Sequence, residues 1–173
     1  DLDLPDAVCL ATAAPDGRPS ARMVLFKGVY RGGLGFFTNY ASRKAHQLDG
    51  LGFAAMVFYW KSMERQVRFE GRVDRLTAEE SDAYFETRSR GSRIGAWASH
   101  QSRRYRDRDE ILKRYEEVRT RFDGCEIPRP EFWGGYRLVP DRAEFWTGMP
   151  NRYHDRVEYR RGAGTWSWSR LEP

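Results

Sequence analysis

The sequence predicts an α+β fold that is mainly antiparallel β, a small barrel with helices at its periphery. Three observations carry this. Short apolar runs of strand length, bounded by Gly, Pro, Asn and Asp, recur along most of the chain. Some alternate with a period of two, as Val67, Phe69 and Gly71 do with Gln66, Arg68 and Glu70, so that one face of that strand is wet or ligand-facing. Helix-start devices stand at only a few points, at Ser42, Thr77 and Asp107. The 173 residues fit one domain, 1-173, which buries roughly two-thirds of the surface exposed by the unfolded chain.

In order, "AVCLATAA" (7–14) reads as a strand, "PDGR" (15–18) as its turn, and "SARMVLFKGV" (20–29) as the strand returning antiparallel. "YRGG" turns the chain into "LGFFTN" (34–39), and a helix capped by Ser42 is expected to run to about Leu48. "FAAMVFYW" (53–60) and "ERQVRFEGRVDRL" (64–76) form a further strand pair. "TAEE" is a capping box, Thr77 with Glu80, that opens a helix to about Arg88. "DRDE" repeats the device as Asp107 with Glu110, and Ile111, Leu112, Tyr115, Val118 and Phe122 then make an apolar stripe at helical spacing. "CEIPRP" ends that helix, and "GGYRLV", "RAEFW", "RVEYR" and "TWSWSRL" return to strands. Seven or eight antiparallel strands are expected, with no internal repeat, low-complexity tract or interdomain linker.

Composition narrows the function classes. An apolar fraction of 40%, with 14% aromatics and six Trp, excludes a disordered chain, while 32% charged residues suit a solvated surface. No apolar run approaches the ~18 residues of a membrane helix, and no signal peptide is visible. The chain starts "DLDLPD" without Met, so an arm or leader ahead of it is expected. Cys9 and Cys125 build neither a disulfide scaffold nor a zinc site, and a reduced, cytoplasmic setting fits them. No metal site is expected. The net charge of +5 brings no zinc-finger or RNA-recognition signature with it, and anionic small ligands explain it equally well.

Three clusters concentrate the cations. Arg43 and Lys44 fall in the first turn of the helix capped by Ser42, where the macrodipole repels them, so folding alone does not select them there. A bound anion reverses that sign: free amides, the Ser42 hydroxyl and two cations make a phosphate site that Arg22 can reach from the preceding strand. A solvated basic turn accounts for the same residues about as well. In the second cluster Tyr84 and Arg88 stand at i, i+4 on one helix face with Ser92 just beyond; singly, each reads as a packing residue or a surface cation. In the third, "EFWTGMPNRYHDR" (144–156), Arg152, His154 and Arg156 share one face if that stretch is a strand, which suits a planar anionic ligand better than a core.

Seven segments, "RMVLFK", "FFTNYASRKAHQ", "ERQV", "RSRGSRIGAWASHQS", "FWGGYR", "EFWTG...NRYHDR" and "RLEP", together resemble the pyridoxamine 5'-phosphate oxidase family, in the family's order and over nearly the whole chain. The resemblance implies an FMN-binding split β-barrel that is a homodimer with FMN at the interface. It implies FMN contacts from Arg22, Met23, Val24, Leu25, Phe26 and Lys27, from Phe37, Thr38, Ser42, Arg43 and Lys44, and from Gln66, Gln101, Ser102, Trp146 and Arg156. The substrate phosphate falls to Lys27, Tyr84, Arg88 and Ser92, with Arg152, Tyr153 and His154 about the pyridine ring.

The implied reaction oxidises C4' of pyridoxine 5'-phosphate or pyridoxamine 5'-phosphate, with O2 as acceptor and hydrogen peroxide as product. Arg152 and His154 are the implied catalytic pair, Arg152 by holding C4' in place and His154 by orienting the ring substituents. Three positions depart from the family pattern: Thr147 stands where Gln is usual, Tyr153 where Leu or Met is usual, and Phe37 where Tyr is frequent. The family's N-terminal segment, which helps to cover the substrate, has no counterpart in this sequence. A related flavoprotein oxidase with another substrate, such as a phenazine precursor, and a non-catalytic flavin or pyridoxal-phosphate carrier are the rival readings; a nucleic-acid-binding module fits worst.

Overall fold

Alternation in the first strands sets the sheet. In β1 (Ala7–Ala13) Val8, Leu10 and Thr12 are buried, and their neighbours are half-buried. Pro15 to Arg18 turns the chain into β2 (Pro19–Leu25), paired antiparallel from Ala7 opposite Leu25 to Ala13 opposite Pro19. The structure, a computed structural model, describes residues 4–173. Along the chain follow β3 (Val29–Tyr30), β4 (Gly33–Asn39), α1 (Arg43–Leu51), β5 (Phe53–Trp60), β6 (Arg65–Arg75), α2 (Ala78–Thr87), α3 (Arg90–Ala98), α4 (Arg108–Arg121), β7 (Trp133–Thr147), β8 (Asp155–Arg161) and β9 (Trp166–Arg170).

The strands join in the order β2-β1-β5-β6-β7-β4-β3, and β8 extends from β7 to β9. Just after β2, Lys27 N–H donates to Gly35 O and Gly35 N–H donates to Gly28 O, both at 2.8 Å. These bonds tie the chain beyond the first strand of that order to β4, near its other end, and so close the sheet on itself. Nine strands are thus present among the described residues, against the seven or eight expected.

Contacts cluster into two compact units. The first takes the residues through Phe36 together with Gln47–Asp74 and Arg137–Pro173. Its core is one face of the sheet, where Leu10 lies opposite Met56, Met56 opposite Phe69, and Phe58 opposite Val67. The second unit, Phe37–His46 with Arg75–Tyr136, has a helical core of Phe85, Ile94, Ala96, Phe122, Ile127 and Trp133.

Four local expectations are corrected. The helix that starts at Ser42 runs on to Leu51, because its stop is Gly52 at φ +69 rather than any residue near Leu48. "GGYRLV" and "RAEFW" are one strand, β7, which runs through Pro140; Gly71 on β6 makes room for it, since a Cβ there would overlap the Val139 carbonyl oxygen. The apolar stripe of α4 is buried only toward its end: Phe122 is buried and Tyr115 and Val118 pack on the helical core, but Ile111 and Leu112 are exposed. Ile111 borders a cavity of about 560 Å3 that Gly95 and Ala98 of α3 also line. Glu110 closes its box on Arg106 N–H at 3.2 Å rather than on Asp107, while the Thr77 and Glu80 box is complete.

The Gly71 contact is directly testable. Gly71→Ala forces a strand backbone to move, a change that costs about 1–3 kcal/mol, whereas Thr77→Ala removes one cap worth about 1 kcal/mol. Urea midpoints should fall in that order, and an unchanged midpoint for Gly71→Ala would show that β6 and β7 do not pack this tightly.

Candidate active site

The Ser42 helix start lies wholly in the second unit. Ser42 is fully buried, its Oγ accepts from Ala45 N–H at 3.3 Å, and its carbonyl accepts from His46 N–H at 3.1 Å. The first turn of α1 holds no acidic residue. Lys44 Nζ donates to Thr38 Oγ1 at 2.9 Å and to Gln101 Oε1 at 2.8 Å, while Arg43 N–H donates to the Ser102 hydroxyl at 3.2 Å. Ser102 takes φ +70, a conformation costly for a residue with a Cβ. Thr38, Ser42, Arg43, Lys44, Gln101 and Ser102 therefore meet at one helix N-terminus, where amides, hydroxyls and an ammonium face the same way as the positive end of the dipole.

A second cationic group stands in the same unit. Phe37 stacks on Tyr84 at 3.8 Å between ring centroids and on Trp133 at 5.5 Å. The Arg88 guanidinium caps this stack 4.5 Å above the Trp133 ring, and its Nη1 is buried with no hydrogen-bond partner among the described residues. Burial pulls the Arg88 pKa below its ordinary value. Tyr84 and Arg88 do not share a helix face as the spacing predicts, because α2 ends at Thr87 and Arg88 caps it with an extended backbone. Ser92 belongs to α3, a helix not anticipated, which Ser89 caps by accepting from Ser92 N–H at 3.3 Å. The Ser89-x-x-Ser92 spacing ahead of Ile94 and Trp97 is the signal for it.

The remaining expected residues lie in the first unit. Arg22 and Val24 of β2 are half-buried, while Met23 and Leu25 on the other face are exposed. The Arg22 guanidinium donates to Leu10 O at 3.1 Å, to Thr12 Oγ1 at 2.7 Å, to Ser20 Oγ and to Gln47 Oε1 at 3.4 Å. Lys27 pairs with Asp6 at 2.7 Å, Phe26 packs edge-on to Phe58, and Gln66 sits on β6 opposite Tyr59.

Arg152, His154 and Arg156 do not share one strand face. Pro150 opens a turn in which Asn151 and Arg152 take φ +59 and +62, and β8 begins only at Asp155. A proline without an N–H followed by two left-handed residues cannot continue a ladder. Tyr153 is exposed; the His154 ring lies 4.7 Å from that of Trp146, and its Nδ1 accepts from Met149 N–H at 3.2 Å, which leaves the neutral imidazole proton on Nε2.

Arg156 is held by groups that the sequence reading passed over. Its Nε and Nη2 donate to the two oxygens of Glu144 at 3.0 and 3.2 Å, and its Nη1 donates to Glu172 O at 2.8 Å. Arg68 donates to Glu144 at 2.6 Å; Arg142 and Arg160 hold Glu158; Glu70 joins Arg68 to Arg142. Glu144 and Glu158 are each only 3% exposed. The face of β6 read as wet is therefore half-buried beneath ion pairs, and the period-two runs "RAE" and "RVEYR" on β7 and β8 are the signal that locates its partners.

A closed antiparallel sheet in this order is the split-barrel class of FMN-binding proteins. The chain matches a protein from Nostoc punctiforme, described as pyridoxamine 5'-phosphate oxidase-related and FMN-binding, with a TM-score of 0.80 at 20% identity, over 98% of this chain and 89% of that one. It matches PhzG from Burkholderia lata, solved with tetrahydrophenazine-1-carboxylic acid, with a TM-score of 0.94 at 34% identity, over 99% and 84%. Residues 2–122 match the pyridoxamine 5'-phosphate oxidase family model, and residues 133–173 match that of the pyridoxine 5'-phosphate oxidase C-terminal dimerisation region. Pyridoxine/pyridoxamine 5'-phosphate oxidases from Psychromonas ingrahamii and Coxiella burnetii are 52% and 54% identical over 170 and 169 residues, 98% of this chain and 78% and 86% of theirs. This chain belongs to the pyridoxamine 5'-phosphate oxidase family.

The ion-pair lattice gives the fold an acid limit. Hydrogen bonds from Arg160 and then Arg142 hold the Glu158 carboxyl below its ordinary 4.5. A depressed carboxylate stabilises the fold above its unfolded pKa and loses that contribution as pH falls through the folded value. Urea midpoints followed from about pH 6 to about pH 3 should therefore fall more steeply in the natural chain than in Glu158→Gln. Parallel curves would remove Glu158 from the acid transition.

Proposed function

We propose that this chain is an FMN-dependent oxidase that converts pyridoxine 5'-phosphate or pyridoxamine 5'-phosphate to pyridoxal 5'-phosphate, with O2 as acceptor and hydrogen peroxide as product. The observation that carries the reading is the buried Arg88 Nη1, which has no hydrogen-bond partner among the described residues and provides a seat for an anion besides the Lys44 helix start. Two anion seats call for two phosphorylated ligands, and relatives 52% and 54% identical are named for such a substrate pair. The protein acts as a cytoplasmic homodimer with FMN at the interface; its match to a dimerisation region over residues 133–173 supports the dimer.

The FMN phosphate is assigned to Ser42, Arg43, Lys44, Gln101 and Ser102. These residues fit it, since the first turn carries no carboxylate and the Lys44 ammonium stands beside the Thr38 hydroxyl and the Gln101 amide at the helix start. Arg22 to Lys27, Phe37, Thr38, Gln66, Trp146 and Arg156 are assigned to the rest of the cofactor. FMN, when bound, supplies the two-electron acceptor. The substrate phosphate is assigned to Lys27, Tyr84, Arg88 and Ser92.

Arg152 is assigned to the pyridine face, with Tyr153 at the ring's edge. Its left-handed backbone fits a residue held for function, and its planar guanidinium can cover a ring as an ammonium cannot. His154, protonated on Nε2, donates to a ring substituent and keeps it oriented. C4' loses a hydride and the oxygen or nitrogen attached to it loses a proton; the alcohol thereby gives the aldehyde directly, and the amine gives an imine from which water releases ammonia to leave the aldehyde.

Three measurements test this. Lys44→Met removes a charge-assisted contact worth about 1.5–3 kcal/mol and should weaken FMN some ten- to hundredfold in a fluorescence titration, with the circular dichroism spectrum unchanged. Full flavin affinity in that variant would move the phosphate site. Pyridoxine 5'-phosphate should bleach the bound flavin in the absence of oxygen, and Arg88→Met should raise KM for it about tenfold or more. Bleaching only by tetrahydrophenazine-1-carboxylic acid, the compound held in the PhzG structure, would overturn the pyridoxine 5'-phosphate reading.

A further inference from the structure

The two buried glutamates are Cα partners on neighbouring strands, Glu144 on β7 and Glu158 on β8. They are equally buried and each is held by two arginines, yet only Glu144 touches a residue assigned to FMN. Arg156 has five N–H donors. Glu144 takes one from Nε and one from Nη2, and Glu172 O takes one from Nη1. One N–H is left on each terminal nitrogen, and these two make up the fork that remains for a further acceptor.

We propose that Glu144 is a positioning residue for the flavin site: its side-on grip on Arg156 aims the remaining fork of that guanidinium at an acceptor on FMN. Arg68 completes the grip by donating to the same carboxylate at 2.6 Å, so Glu144 itself cannot turn without breaking a second ion pair. The proposal rests on the assignment of Arg156 to FMN. Glu158 serves as the internal control, because it lies in the same lattice, at the same depth, and faces Arg142 and Arg160 instead. Hydrogen bonding to Glu144 raises the Arg156 pKa, in keeping with a guanidinium locked against its partner.

The experiment is an FMN titration of the full-length apoprotein, followed by flavin fluorescence quenching and by the visible absorption shift on binding. Glu144→Gln should weaken FMN about tenfold or more, while Glu158→Gln, which breaks as many ion pairs, should stay within about twofold of the natural chain. Arg156→Gln should lose at least as much as Glu144→Gln, and the double variant should lose no more than Arg156→Gln alone, because both changes remove one interaction. Natural affinity in folded Glu144→Gln, or an equal loss in Glu158→Gln, overturns the positioning role. Natural affinity in Arg156→Gln overturns the assignment of Arg156 itself and the proposal with it. If Glu144→Gln does not fold, Glu144→Asp keeps the charge but withdraws it by one methylene; a loss of about threefold or more is then expected, and natural affinity overturns the proposal.

Discussion

Two carboxylates side by side on one sheet face constrain much of the barrel. Glu144 and Glu158 are paired across β7 and β8, and neither is solvated, so each needs cations at hydrogen-bond distance in a fixed direction. Arg68 on β6, Arg142 on β7, and Arg156 and Arg160 on β8 meet that need only if the three strands keep one register. A one-residue slip would turn every member of the set to the opposite face. The lattice thus couples the register of the sheet to the direction in which the Arg156 guanidinium is held.

The helical unit solves a different problem. It gathers groups whose burial or backbone is unfavourable by itself: a guanidinium nitrogen with no hydrogen-bond partner among the described residues, a serine in the left-handed region, and a lysine at the positive end of a helix. The aromatic stack of Phe37, Tyr84 and Trp133 supports Arg88, whose guanidinium carbon lies 4.5 Å from the centre of the Trp133 ring. Phe37 lacks the hydroxyl of a tyrosine, but the stacking depends on the ring alone.

Much of this was legible in the sequence, for reasons that differ from element to element. Strand runs such as 7–14 and 53–60 were readable because each face of a strand reports its own environment, and Ser42, Thr77 and Asp107 were readable as caps because an N-cap depends on two or three neighbouring residues. The Lys44 cluster followed from the conflict between charge and dipole. What escaped depended on contacts distant in sequence. Continuity of β7 through Pro140 is licensed by Gly71, almost seventy positions away; Ile111 faces a cavity that the periodicity of its own helix does not report; and of the four arginines that hold the buried glutamates, three reach across from another strand. The turn at Pro150 was the local failure, since the period-two spacing of Arg152, His154 and Arg156 hid a break that the proline announces.

The imidazole of His154 is bound to the turn that carries Arg152. Met149 N–H occupies Nδ1 while the ring leans on Trp146 of β7, so the imidazole is fixed at once by the backbone that enters the turn and by an aromatic neighbour outside it. Asn151 and Arg152 keep their left-handed backbone between these two anchors, and any change at the imidazole reaches the arginine through the main chain rather than through its charge.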